Sequence, residues 1–298
     1  MLSPLVSYTL NVQGRLLNLS APQVMGILNL TPDSFYAASR VEKEESVRMR
    51  VRQIMDEGGA MIDVGACSTR PGAESVDAKE EMRRLRNGMK AVREEAPDAV
   101  VSVDTFRADV AKMAVEELGA DIVNDVSGGL LDERMFNTVT QLGVPYILTD
   151  AQSTNMKDMM LYFASKVQQL RDLGQKDIIL DPGYGFGKTL EENYILLNRL
   201  HCTTKVQTNI KLEENYILLN QQEMLTIFEL PLLVGVSRKS MIYRLLDCTP
   251  NEALNGTTVL NTIALTKGTN ILRVHDVKAA VEVVSIIQKL QTAPTLNP

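Results

Sequence analysis

Short apolar runs recur along the chain, each ending on or beside a polar residue: VMGILN (24–29), AMIDVG (60–65), VVSVD (100–104), DIVND (121–125), PYILT (145–149), DIILD (177–181), PLLVG (231–235) and NILRV (270–274). Between them lie longer stretches with helical spacing, among them 41–59, which ends on glycines, and 106–120, with Gly119 near its end. Strands that are nearly continuous in apolar residues are buried on both faces, and their alternation with helices predicts a parallel sheet. Eight units suit a closed (β/α)8 TIM barrel of about 250 residues better than an open doubly wound sheet of about six strands. The leading SYTLNVQGRLLNLS (7–20) reads as a β-hairpin turning near Gly14, a lid for the barrel's bottom. The expected organisation is a single barrel domain over 1–298 with its hairpin within 1–22.

In such barrels the chemistry sits at the carboxyl ends of the strands. Asp104, Asn124 and Asp181 close three different strands, and Lys239 follows the seventh in VGVSRKS. Two carboxylates, an amide and an ammonium fit the polar edge of a flat heterocycle, or form a buried ion-pair network of their own. A second group suits anions: Asn29, Arg70 in CSTRPG, and Arg273 with His275 in LRVHD. Arginine forks match phosphate oxygens, and the last two strand loops of barrels often bind phosphate, so a diphosphate is the expected ligand. Asn29 is placed to reach a Mg²⁺ bridging that diphosphate, because Mg²⁺ takes few protein ligands.

DPGYGFGKT (181–189) imitates a phosphate-binding P-loop, but Pro182 occupies the position of its first glycine, and the glycines at 183, 185 and 187 do not fit G-x-G-x-x-G. What remains is a glycine-rich turn into a helix, with Thr189 and Glu192 spaced as a capping box. Phe186 in that turn either covers an aromatic ligand or packs locally.

Composition narrows the partners. A net charge of −6 argues against a nucleic-acid surface, so an anionic ligand must be held by local cations. Two histidines leave little room for a histidine-based triad or metal cage. Cys67, Cys202 and Cys248 lack zinc-site spacing and are an odd number, which suits reduced thiols. The start of the chain does not read as a secretory signal, and no run approaches the roughly 18 apolar residues of a membrane span. The expected setting is the cytoplasm, with small molecules as partners.

Taken in order, MGILNLTPDSF (25–35), DVGACSTRPGA (63–73), VSVDTFR (101–107), NDVSGG (124–129), DPGYGFGKT, LLVGVSRKSM (232–241) and NGTTVLNTIALTKGTNILRVHDV (255–277) resemble the dihydropteroate synthase family along almost the whole chain. The resemblance implies a folate-pathway transferase that joins 6-hydroxymethyl-7,8-dihydropterin diphosphate to p-aminobenzoate and releases pyrophosphate. It implies that Asp104, Asn124, Asp181 and Lys239 hold the pterin, with Arg273 stacked beside it and facing the leaving group. Asn29, Arg70 and His275 would bind diphosphate with Mg²⁺. Phe35, Thr69, Pro71, Phe186 and Ser240 would form the aminobenzoate pocket. It also implies a homodimer and a target for sulfonamides. Two other readings share these pterin-edge residues: a pterin-binding protein with little turnover, and a pterin-binding methyltransferase domain, against which STRPG and SRKS stand.

The chain departs from the family's pattern in three places. Ala37 stands where many relatives carry an acid, and Thr149-Asp150 replace the usual Met-His pair, bringing a negative charge toward the expected pterin pocket. The third departure is a repeat, LEENYILLN at 190–198 and again at 212–220, which makes 199–221 a duplicated segment between the sixth and seventh barrel strands. The first copy, directly behind Thr189, is expected to form the barrel helix.

Overall fold

The computed structural model describes residues 7–30, 40–67, 76–200 and 228–293. An antiparallel hairpin of β1 (Thr9–Val12) and β2 (Arg15–Asn18) precedes eight parallel strands: β3 (Gln23–Asn29), β4 (Met61–Gly65), β5 (Val100–Asp104), β6 (Ile122–Asp125), β7 (Tyr146–Thr149), β8 (Ile178–Asp181), β9 (Leu233–Val234) and β10 (Ile271–Val274). They run in the order β8-β7-β6-β5-β4-β3-β10-β9. A parallel bridge from Leu180 to Leu232, with the Leu180 N–H donating to Pro231 O at 2.9 Å, joins the two ends and closes the barrel.

Helices follow the strands: α1 (Arg40–Asp56), α2 (Ala78–Glu95), α3 (Ala108–Glu116), α4 (Met135–Leu142), α5 (Met156–Leu173), α6 (Leu190–Asn198), α7 (Ser240–Tyr243), α8 (Leu254–Thr266) and α9 (Val277–Thr292). Local chemistry sets several of their starts. Asp77 caps α2 by accepting from the Glu80 N–H at 2.8 Å, and Asn155 caps α5 through the Asp158 N–H at 3.0 Å. Among the described residues, no helix is long and apolar enough to cross a membrane.

Strand side chains alternate between two environments with a period of two. Ile62, Val64, Val101, Val103, Val123, Leu148, Ile178, Leu180 and Leu272 pack outward with Val51, Ile54, Leu85 and Met89 of the helices. Met25, Met61, Ile122, Ile147, Ile179, Leu233 and Ile271 instead form a separate apolar floor, sealed from below by Leu10, Val12 and Leu19 of the hairpin region. The lid expected at the bottom is therefore a plug. Arg15 fastens it by donating to the buried Asp121 carboxylate at 3.0 Å, and Gln13 by donating to Ala120 O at 2.7 Å.

Candidate active site

Two residues above that floor, the same inward alternation brings Asp63, Ser102, Asn124, Thr149, Asp181 and Arg273 into the barrel, and a further step up brings Asn29, Gly65 and Asp104. Pairing register sets them side by side: Asn29 opposite Gly65, Gly65 opposite Asp104, Asp104 opposite Asn124, and Thr149 opposite Asp181. A Cβ at Gly65 would lie 3.5 Å from the Asp104 Cβ and 3.8 Å from Asn29 Oδ1, so glycine leaves the mouth open between them.

Arg273 organises the floor of this mouth. Its Nε donates to Asp63 Oδ2 at 2.6 Å and its Nη2 to Asp104 Oδ2 at 2.8 Å, while Asn124 Nδ2 donates to the same Asp63 oxygen at 3.2 Å. Of the two readings left open by the sequence, the ion-pair network is present, and it is built through Arg273 and Asp63. Asp63 is fully buried, and among the described residues its Oδ1 has no partner; neither has the buried Oγ of Ser102, its neighbour in register. Buried polar atoms without partners are costly. Here they leave an acceptor and a hydroxyl for a ligand with N–H groups.

The other wall is the glycine-rich loop. Lys239 donates its Nζ to Tyr184 O, and the same amine lies 4.3 Å from the Phe186 ring centroid. A Cβ on Gly185, whose φ is +81°, would lie 2.8 Å from Lys239 Cδ, so only glycine lets the lysine stem pass. Asn193 Oδ1 accepts from Gly185 N at 2.7 Å, and Asp181 Oδ1 from Gly183 N at 2.8 Å. Asn193 belongs to the first LEENYILLN copy, which forms α6 behind the Thr189–Glu192 capping box. Ser240, next to Lys239, opens α7. The His275 N–H donates to Ser237 Oγ at 3.1 Å, tying the loop after β10 to the loop after β9.

Charge is strained here by burial. It raises the Asp104 carboxyl against the opposing pull of Arg273, and it raises Asp181 against the pull of Lys239. Burial also lowers the Lys239 ammonium to about 8, with Asp181 opposing and Arg273 assisting. Among the described residues no cluster of three or more His, Cys, Asp or Glu groups could cage a metal. Asn29, with no side-chain hydrogen bond among the described residues, offers a free carboxamide oxygen, a donor set that suits a cation sharing its sphere with phosphate and water.

The structure thus gathers Asn29, Asp104, Asn124, Asp181, Phe186, Lys239, Ser240, Arg273 and His275 at one end of the barrel. Phe35, Ala37, Thr69, Arg70, Pro71 and the second LEENYILLN copy lie outside the described residues. The sequence reading missed Asp63, which its parity with Met61 could have revealed, because an acid on the inward side of an apolar strand needs a partner inside the barrel. It also missed Asn193, for which a lone asparagine on a helix gave no signal.

A parallel barrel with such a mouth defines a class of enzyme, and the sequence says which one. The chain belongs to the pterin binding enzyme family, whose pattern it matches over residues 25–275. Within that family its relatives are dihydropteroate synthases. That of Escherichia coli (strain K12) is 34% identical over 296 residues, spanning 94% of this chain and 96% of that protein. A Xanthomonas albilineans dihydropteroate synthase solved with 4-aminobenzoic acid superposes with a TM-score of 0.81 at 29% identity, covering 97% of this chain and all (100%) of that one. A Yersinia pestis dihydropteroate synthase in a sulfonamide drug complex gives a TM-score of 0.79 at 34% identity, covering 96% and 100%.

Proposed function

We propose that this chain is a transferase of folate biosynthesis that joins 6-hydroxymethyl-7,8-dihydropterin diphosphate to p-aminobenzoate. The observation that carries the reading is the continuous network of Arg273 with Asp63, Asp104 and Asn124, facing Asp181 and Lys239. Asp104, Asn124 and Asp181, joined by Asp63, accept from and donate to the pterin edge, and the Lys239 ammonium meets a ring carbonyl or nitrogen. Arg273, Arg70, His275 and Asn29 receive the diphosphate. Asn29 would hold Mg²⁺ together with phosphate oxygens, and the ion, when bound, supplies charge neutralisation at the leaving group.

In the reaction the methylene C–O bond breaks and its electron pair stays on the departing pyrophosphate oxygen, where Arg273 and its neighbours stabilise the growing charge. The aminobenzoate nitrogen forms the new C–N bond with its lone pair and loses a proton to water at the mouth. The cationic character on the methylene carbon is offset by Asp104 and Asp181. The aniline needs no strong base, in keeping with a described site that has no activated nucleophile. Phe186 and Ser240 wall the aminobenzoate subsite, to which the family resemblance assigns Phe35, Thr69 and Pro71 as well; sulfonamides would compete there, and a cytoplasmic setting suits this chemistry.

The test is pyrophosphate release by purified protein with dihydropterin diphosphate and Mg²⁺, with and without p-aminobenzoate. Release is expected to require p-aminobenzoate, and Lys239→Ala is expected to lower kcat/KM by about a hundredfold. Pterin binding without release would instead fit a protein that only sequesters pterin. The reading includes a homodimer, supported by Val259 of α8 and Ile286 of α9, apolar side chains half or more exposed on two helices that pack together.

A further inference from the structure

Lys188, at the end of the glycine-rich loop, has no role assigned so far. Its Nζ donates to Asp150 O at 2.9 Å, Gly183 O at 3.1 Å and Phe186 O at 3.4 Å, which uses all three protons of the ammonium. Two of those carbonyls belong to the loop itself, and the third belongs to the residue that leaves β7. The loop also leans on that strand exit directly: a Cβ on Gly183 would come within 2.2 Å of Asp150 O. The Lys188 amine thus pins the β7 exit to two points of the loop.

Asp150 does more than offer its carbonyl. It is fully buried; its Oδ1 accepts from the Gln152 N–H at 3.0 Å and the Ser153 N–H at 2.9 Å, and its Oδ2 has no partner among the described residues. Burial pulls the Lys188 ammonium down, and the carboxylates of Asp150, Asp181 and Glu192, in that order, oppose it. The acid that departs from the family's Met-His pattern therefore has a buried ammonium to balance.

We propose that Lys188 is a positioning residue for the aminobenzoate subsite. With Asp150 as counter-charge, it pins the β7 exit to both ends of the glycine-rich loop and so fixes the Phe186 ring beside Lys239. The inference rests on the reading of Phe186 as a wall of that subsite. Its distinguishing consequence is selectivity between substrates, since Lys188 hydrogen-bonds none of Asp104, Asn124 and Asp181, which hold the pterin edge from strand ends.

The experiment is steady-state kinetics of Lys188→Met and Asp150→Asn with each substrate varied in turn. Removing a charged donor from buried carbonyls is expected to raise the KM for p-aminobenzoate about tenfold in Lys188→Met, leaving the KM for dihydropterin diphosphate within about twofold. Asp150→Asn keeps an acceptor for the Gln152 and Ser153 N–H groups while losing the charge, and is expected to shift the same KM about threefold. Should Lys188→Met fail to fold, Asp150→Asn decides. An unchanged aminobenzoate KM, or equal changes for both substrates, overturns the inference. Absence of aminobenzoate-dependent release by the unmutated protein overturns the functional reading itself, and this inference with it.

Discussion

Lys239 carries its charge where burial disfavours it, lowered to about 8 with Asp181 as its principal support. A lysine lowered in this way is protonated below that value and neutral above it, so an ammonium needed for pterin recognition is lost as pH rises. kcat/KM for dihydropterin diphosphate, which reports the free enzyme, should fall about tenfold per unit above about 8. A pH–rate profile that stays flat up to the ordinary lysine range would remove the Lys239 ammonium from the mechanism. The sequence showed this lysine, because SRKS follows a strand, but not its environment: the Tyr184 carbonyl and Phe186 ring that surround it are 50 or more residues away. Asp63 was hidden for the opposite reason. It stood inside a nearly continuous apolar run, and its partners, Asn124 and Arg273, arrive from far along the chain.

At the scale of elements, the eight strands were legible because each is a nearly continuous apolar run, and register then fixed which polar residues meet. α6 was legible through its cap. Thr189 and Glu192 satisfy each other's backbone neighbours, with Thr189 N donating to Glu192 Oε2 at 2.7 Å and Glu192 N to Thr189 Oγ1 at 3.2 Å. The second copy follows Lys211, which offers no such cap. Because Asn193 of the first copy holds the Gly185 N–H, the site depends on that copy alone within the described residues. Deleting residues 201–222, so that Leu200 joins Glu223, removes the second copy and keeps the first with its buried Leu196, Leu197 and Leu200. Loop length costs little in closure entropy, about 0.6 kcal/mol per doubling, so the deletion should leave kcat within about twofold and melting within a few degrees. A collapse of activity in the shortened protein, measured by pyrophosphate release, would mean that the duplicated segment has become part of the working enzyme.

At the scale of the whole molecule, packing of α8 on α9 leaves Val259 50% and Ile286 61% exposed. If they are buried between two copies, Val259→Glu combined with Ile286→Glu should yield a monomer by sedimentation, since buried unpaired carboxylates are costly. An unmutated protein that already sediments as a monomer would count against the dimer. The barrel itself is divided differently: hairpin and isoleucine-rich floor below, charged mouth above, the two layers separated by a single inward step along each strand. That floor acts as an electrical insulator. With an apolar floor beneath Arg273 and Asp63, their attraction is screened from one side only, and buried pairs are screened less by salt than exposed ones. Ionic strength should therefore slow the approach of an anionic substrate to the mouth while leaving the charges that receive it in place.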